Sequence, residues 1–82
     1  MTGKDKKSIE DKITAIISER LEINPSIINY ESKLKDDLGI DSFGLVELIF
    51  EVKDKFGINI EEQDLKSIVT VKDVVEYIFN KI

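Results

Sequence analysis

The sequence contains no cysteine and no histidine. The lack of cysteine excludes disulfides and a cysteine nucleophile, and the lack of histidine also removes the commonest general base and the remaining usual zinc ligand. We therefore expect neither self-contained catalysis nor a metal site. The sequence also lacks a run of about 18 apolar residues that could span a bilayer, and it lacks a leader of the secretory kind. These absences favour the cytoplasm and no membrane partner.

Basic residues are the minority charge, with 12 Lys and Arg against 17 Asp and Glu and a net charge of −5. A nucleic-acid binder normally carries the opposite balance, because neutralising phosphates supplies most of the non-specific affinity. We therefore expect basic protein surfaces as partners and no nucleic acid. Apolar residues at 41% and charged residues at 35% of the 82 positions are typical of one small globular domain.

The first residues carry Lys4, Lys6 and Lys7 ahead of any apolar periodicity. We interpret residues 1–7 as a flexible, solvated tail and residues 8–82 as a single domain. Within that domain the spacing of Ile9, Ile13, Ile16, Ile17 and Leu21 predicts a helix over about 8–22.

A capping box at Ser8 and Asp11 would begin the first helix. Asn24-Pro25-Ser26 then interrupts the pattern, and residues 23–41 keep no single period. We predict a long loop there, with apolar side chains that attach it to the core.

Three further helices follow from periodicity and end signals. Residues 42–56 form the clearest apolar stripe and precede Gly57 as a C-terminal stop. For residues 61–67 we predict one or two helical turns. Thr70 begins a Thr-x-x-Asp cap, and the apolar stripe of the last helix continues from there to Ile82. The predicted fold is all-α: a small four-helix bundle with three longer helices, one short helix, and the long loop between the first and second helices.

The second predicted helix begins with Asp41 and Ser42 after a turn that contains Gly39. Either Asp41 or Ser42 could be the N-cap, because both residue types accept hydrogen bonds from free backbone N–H groups. A serine there has a second property, since the positive end of the helix dipole favours a phosphate linked to its oxygen. Asp41 could orient a partner's basic group or a metal ion carried by a modifying enzyme, or it could share the capping role.

Three segments add a more specific signal: Asp36-Asp37-Leu38-Gly39-Ile40-Asp41-Ser42-Phe43, Val46-Glu47-Leu48 and Phe56-Gly57-Ile58-Asn59-Ile60. Together with the helix order, they resemble the acyl carrier protein family over about residues 8–82. The resemblance implies that a separate phosphopantetheinyl transferase attaches 4′-phosphopantetheine from coenzyme A to Ser42, beside Asp41. The thiol of this arm would hold acyl intermediates as thioesters. A monomeric, non-enzymatic carrier would deliver them to enzymes of fatty-acid or related acyl or secondary-metabolite biosynthesis.

The resemblance also implies a docking surface on the second helix and the segments beside it. Partner enzymes with basic surfaces would meet acidic side chains there, together with apolar residues near the arm. The positions in this sequence that match are Asp37, Val46, Glu47, Phe50, Asp54 and Ile60, with Glu51 as a further acid at a less typical position. Phe50 could equally belong to the core.

The second helix departs from the family pattern at four positions. Phe43 stands where Leu is usual, Gly44 where an acid is common, and Lys53 and Lys55 where fatty-acid carriers commonly have acids. This pattern favours a specialised carrier, for example of an aminoacyl or peptidyl group. Two other classes stay open: an unmodified acidic interaction module, and a hydrolase or transferase with Ser42 as nucleophile, which would lack a visible base.

Overall fold

The computed structural model describes residues 5–82. In this range the chain forms three α-helices and two short 3₁₀ helices: α1 (Lys6–Leu21), a 3₁₀ turn (Pro25–Ile27), α2 (Ser42–Phe56), a 3₁₀ helix (Glu62–Ser67) and α3 (Val71–Lys81). The predicted all-α fold, with three longer helices, one short helix and a long loop before α2, is confirmed. The 3₁₀ turn within the loop was not predicted.

Helix α1 begins two residues before the predicted start. Asp5 is its N-cap, and the Asp5 carboxylate accepts a hydrogen bond from the Ser8 backbone N at 2.7 Å. The predicted capping box that starts at Ser8 is therefore wrong, because Ser8 already lies in the first turn. Lys6 and Lys7 belong to the helix rather than to a tail. Residues 1–4 of the predicted tail lie outside the described residues.

The boundaries of α2 and α3 follow the predicted end signals. Gly57 ends α2 in the left-handed region at φ 65°, where its N–H donates to the Lys53 carbonyl at 2.9 Å. This conformation carries no steric cost for glycine. Thr70 caps α3 through a reciprocal box with Asp73, as predicted.

The core lies between α1, α2 and α3, and side chains of the long loop and of Ile68 complete it. Its buried members are Ile9, Ile13, Ile16, Ile17, Ile28, Leu34, Ile40, Leu45, Leu48, Ile49, Val52, Ile68, Val71, Val74, Val75 and Ile78. The β-branched residues of α3 are tolerated because tertiary packing outweighs their modest loss of helix propensity.

The long loop is attached to the core by side chains and to the start of α3 by backbone hydrogen bonds. Leu34 is 1% exposed, and its N–H donates to the Val69 carbonyl at 2.8 Å. The Lys72 N–H donates to the Tyr30 carbonyl, also at 2.8 Å. These contacts hold the end of the loop in place, and Ile40 is buried directly before α2 begins.

The buried polar side-chain atoms of the described residues form hydrogen bonds. Every buried side-chain nitrogen or oxygen in residues 5–82 has a hydrogen-bond partner. Among the helices of this range, none combines the length and the apolar character needed to cross a membrane.

Candidate functional site

Ser42 is the first residue of α2, and its side chain is exposed. The preceding residue, Asp41, is the N-cap: its Oδ1 accepts a hydrogen bond from the Gly44 N–H at 2.7 Å. The Asp41 carbonyl accepts the first intrahelical bond from the Leu45 N–H at 2.8 Å. Of the two candidate caps, Asp41 therefore performs this role, and the Ser42 hydroxyl is not used to close the helix.

The Lys35 ammonium and the N-terminus of α2 lie close to the Ser42 hydroxyl, as does the carboxylate of its chain neighbour Asp41. The Lys35 ammonium donates a hydrogen bond to Ser42 Oγ across 3.1 Å. The backbone N–H groups of Ser42 and Phe43 lie in the first turn of α2, where no carbonyl four residues earlier belongs to the helix. They also lie at the positive end of the helix dipole. An anionic group on Ser42 Oγ would thus meet one ammonium and two free N–H groups.

Gly44 makes close packing possible at the start of α2. A Cβ added there would lie 3.1 Å from Asp41 Oδ1 and 3.2 Å from Ile40 Cγ2. Both distances are tighter than ordinary contacts, so a residue with a Cβ would require the Asp41 carboxylate and the Ile40 side chain to shift by a few tenths of an ångström. Glycine at this position avoids both close approaches.

A short turn over residues 33–40 of the loop precedes Asp41 and Ser42, which are both exposed. The Asp37 carboxylate accepts a hydrogen bond from the Lys33 N–H at 2.8 Å, and the Ile40 N–H donates to the Leu34 carbonyl at 3.0 Å. Gly39 adopts φ 75°, which allows the reversal between these contacts. Asp37, one of the predicted docking acids, thus also organises the loop.

Three comparisons with known proteins bear on this site. The family model described as "Phosphopantetheine attachment site" matches residues 11–78, which include Ser42. An acyl carrier protein from Thermotoga maritima is 42% identical over 77 residues, covering 94% of this chain and 95% of that protein. The chain belongs to the acyl carrier protein family. A solved acyl carrier protein from Enterococcus faecalis superimposes with a TM-score of 0.80 at 31% identity, over 94% of this chain and 98% of that one.

Membership in this family establishes the general biochemical function of the protein. It is a carrier with phosphopantetheine as its prosthetic group, and the usual role of its acyl carrier relatives is fatty-acid biosynthesis. Carriers of this kind interact with phosphopantetheinyl transferases and with acyl-processing enzymes. The exposed Ser42 hydroxyl, the free first-turn N–H groups and the Lys35 ammonium fit a phosphodiester on that oxygen.

An apolar cleft of about 280 Å³ runs along the carrier between α2 and the 3₁₀ helix Glu62–Ser67. Its lining residues are Val46, Ile49, Phe50, Lys53, Ile60, Glu62 and Leu65. The structure thus brings Val46, Phe50 and Ile60 together, as sequence reasoning grouped them. Tyr77 of α3 holds the 3₁₀ helix by donating a hydrogen bond to the Asp64 carboxylate, and this bond raises the pKa of Tyr77.

Two phenylalanines of α2 project into solvent, and one of them, Phe50, lines this cleft. Phe43 is 71% exposed and Phe50 is 62% exposed. The alternative that Phe50 belongs to the core is therefore wrong. The Lys53 ammonium lies 5.6 Å from the centroid of the Phe50 ring, a distance typical of a cation–π contact. Exposed apolar rings of this kind are characteristic of an interaction site, because a partner that covers them removes their apolar surface from water.

The acids predicted for docking differ in what they contact. Glu47 accepts from Arg20 Nη1 at 3.2 Å, and Glu51 accepts from Arg20 Nη2 at 3.1 Å and from Nε at 3.3 Å. Asp54 is exposed on the same helix, one turn after Glu51. One guanidinium from α1 therefore binds two of the predicted docking acids.

Sequence reasoning missed two residues of this region, Lys35 and Arg20. Lys35 precedes Ser42 by seven residues in a loop without period, so no pattern places its ammonium near the hydroxyl. Arg20 is the single arginine of the sequence, at the end of the first predicted helix. The sequence predicts that Arg20 lies in the last turn of α1. Its ion pairs with Glu47 and Glu51 depend on how α1 and α2 pack, which the sequence pattern does not reveal.

Proposed function

We propose that Ser42 is the residue that carries phosphopantetheine, through a phosphodiester at Oγ. The observation that supports this proposal most strongly is the division of roles at the start of α2, where Asp41 caps the helix and Ser42 Oγ is exposed. A serine needed as the cap would have its oxygen turned toward the backbone. Here that oxygen is accessible to a modifying enzyme.

Lys35 and the first turn of α2 would hold the phosphodiester once it is formed. The Lys35 ammonium already reaches Ser42 Oγ, so a small side-chain movement would bring it to a phosphate oxygen. A charge-assisted contact of this kind is stronger than a neutral hydrogen bond, although solvent exposure limits its contribution. The arm would supply a thiol that bears acyl groups as thioesters, which this cysteine-free chain cannot supply itself.

Partner enzymes would dock on α2 and on the wall of the apolar cleft. The proposed contact residues are the apolar Val46, Phe50 and Ile60 and the acidic Asp37, Glu47, Glu51 and Asp54. Exposed ion pairs contribute about 0–1 kcal/mol each, so the acids would act mainly on the rate of encounter. The exposed Phe50 ring would contribute more to affinity, because its burial removes apolar surface from water.

The proposal extends to a monomer that works in the cytoplasm and catalyses no reaction itself. Ser42 must share a compartment with coenzyme A and with the transferase that loads it. The exposed serine and the α2 surface both lie within this one chain.

The experiment is incubation of the chain with coenzyme A and a broad-specificity phosphopantetheinyl transferase, followed by intact-protein mass spectrometry. We expect a mass increase of one phosphopantetheine in the unchanged chain and none in Ser42→Ala. Ser26→Ala is the matched control, since Ser26 is also exposed near the start of a helical segment. An increase that persists in Ser42→Ala, or its absence from the unchanged chain, would contradict the proposal.

A further inference from the structure

The structure places a cation of the chain itself where a partner's basic side chain would bind. We infer that Arg20 competes with partner enzymes for Glu47 and Glu51, and so lowers the rate at which basic partners engage α2. This inference rests on the proposed docking of partners at α2. It predicts that removing Arg20 accelerates docking rather than impairing it.

The geometry supports competition because one guanidinium serves both acids. Arg20 approaches Glu47 to 3.2 Å and Glu51 to 3.1 Å, and the two acids are four residues apart, which places them on one face of α2. The planar guanidinium presents several donors in fixed directions, so it can bind two carboxylates at once. A partner's lysine or arginine would have to take over these carboxylate oxygens.

The net charge of α2 is small, so one added positive charge changes its attraction for a basic partner. Over residues 47–55 the helix has three acids and two lysines, which is a net charge of −1. The Arg20 guanidinium brings the charge of this surface to zero. Arg20 therefore weakens the local attraction of this stretch for a basic partner, while the chain as a whole keeps a net charge of −5.

The contact is exposed enough to exchange. The side chain of Arg20 is 32% exposed, and those of Glu47 and Glu51 are 46% and 30% exposed. Ion pairs at such positions are weak and are screened by salt, so a partner can displace Arg20 without unfolding any element. Arg20 would thus tune the encounter rate and would not block docking.

The test compares Arg20→Gln with a matched variant on the same helix. Lys7→Gln also removes one positive charge from α1, but Lys7 pairs with Asp11 at the opposite end of the helix from Arg20. The readout is kcat/KM for Ser42 modification by a phosphopantetheinyl transferase at about 0.05 M and about 0.5 M salt. Coulomb's law for unit charges about 5–10 Å apart in water predicts a roughly two- to fourfold increase for Arg20→Gln at low salt, reduced at high salt.

Two further variants keep the inference falsifiable if Arg20→Gln alters the fold. Arg20→Lys retains the charge, so its rate should remain close to that of the unchanged chain. Glu47→Gln should slow modification more in the Arg20→Gln background than alone, because Glu47 is then free for the partner.

The inference is overturned if Arg20→Gln is no faster than Lys7→Gln at low salt, or if the effect of Glu47→Gln is the same in both backgrounds. If either result is found but Glu47→Gln still slows the modification of Ser42, the proposal that partners dock at α2 remains supported. Absence of modification in the unchanged chain would instead contradict the proposed function, and the two failures are therefore distinguishable.

Discussion

Substitution of Asp41 separates its two possible roles, as a helix cap and as a charged neighbour of Ser42. Asp41→Ala removes the hydrogen bond to the Gly44 N–H and also the negative charge at the N-terminus of α2. Loss of a cap costs about 1 kcal/mol, and loss of a charge at a helix N-terminus costs about 0.3–1 kcal/mol. We expect Asp41→Ala to lower the free energy of unfolding by about 1.5 kcal/mol, which corresponds to roughly 6–12 °C in Tm for a domain of this size.

Asp41→Asn is the matched variant because asparagine caps helices about as well as aspartate but carries no charge. It should lose only the interaction with the helix dipole, about 0.5 kcal/mol. The assay is urea unfolding of both variants, followed by circular dichroism, together with the rate of Ser42 modification. If capping is the main role of Asp41, modification should slow in Asp41→Ala and remain near the unchanged rate in Asp41→Asn.

Two results would refute this reasoning. If Asp41→Asn is as unstable as Asp41→Ala, the hydrogen bond to Gly44 does not stabilise the helix as the geometry indicates. If Asp41→Asn is stable but modified much more slowly, the charge of Asp41 acts on the transferase, and capping is the lesser of its roles.

Three other predictions concern the core, the docking surface and acid stability. Leu48→Ala should cost about 2–5 kcal/mol in urea unfolding, because Leu48 is 0% exposed and its loss leaves a cavity. Phe43→Ala should change stability by less than about 0.5 kcal/mol and yet slow Ser42 modification, because its ring is largely exposed beside that residue. Burial alone would raise the pKa of Asp73, but the N–H groups of Val69 and Thr70, the Thr70 hydroxyl and Lys72 outweigh it and lower that pKa. A lowered pKa means that the stabilising contribution of Asp73 is present at neutral pH and is lost as the pH falls below the ordinary value of 3.8. Unfolding of Asp73→Asn should therefore depend less on pH in that range.

The helices of this protein were largely predictable because their signals are local. The cap at Thr70 and the stop at Gly57 each depend on residues within one turn, and both lie where the sequence indicates. The start of α1 was misjudged for the same kind of reason: Ser8 and Asp5 are both good caps, and the lysines between them looked like a tail. Helix propensity of Lys6 and Lys7, together with the Asp5 cap, extends the helix by two residues.

The side of α2 that faces solvent was harder to predict. Its apolar residues extend beyond a single stripe, so periodicity alone could not say whether Phe50 packs inside or projects outward. The structure buries Leu48, Ile49 and Val52 against the other helices and leaves Phe43 and Phe50 outside. Which side of α2 is buried depends on how the whole helix packs against the rest of the core, and no short stretch of sequence determines that packing.

By itself, the sequence determined the helical class, the long loop, and the position of Ser42 at the start of a helix, since these depend on spacing and on end signals a few residues apart. Only the tertiary structure decided which groups surround that serine and the docking acids. Lys35 reaches Ser42 because the turn between Leu34 and Ile40 folds the loop back on itself, and Arg20 reaches Glu47 and Glu51 because α1 packs beside α2. Contacts between residues 27 or 31 positions apart depend on how the helices pack as a whole, and periodicity within one helix carries no information about them.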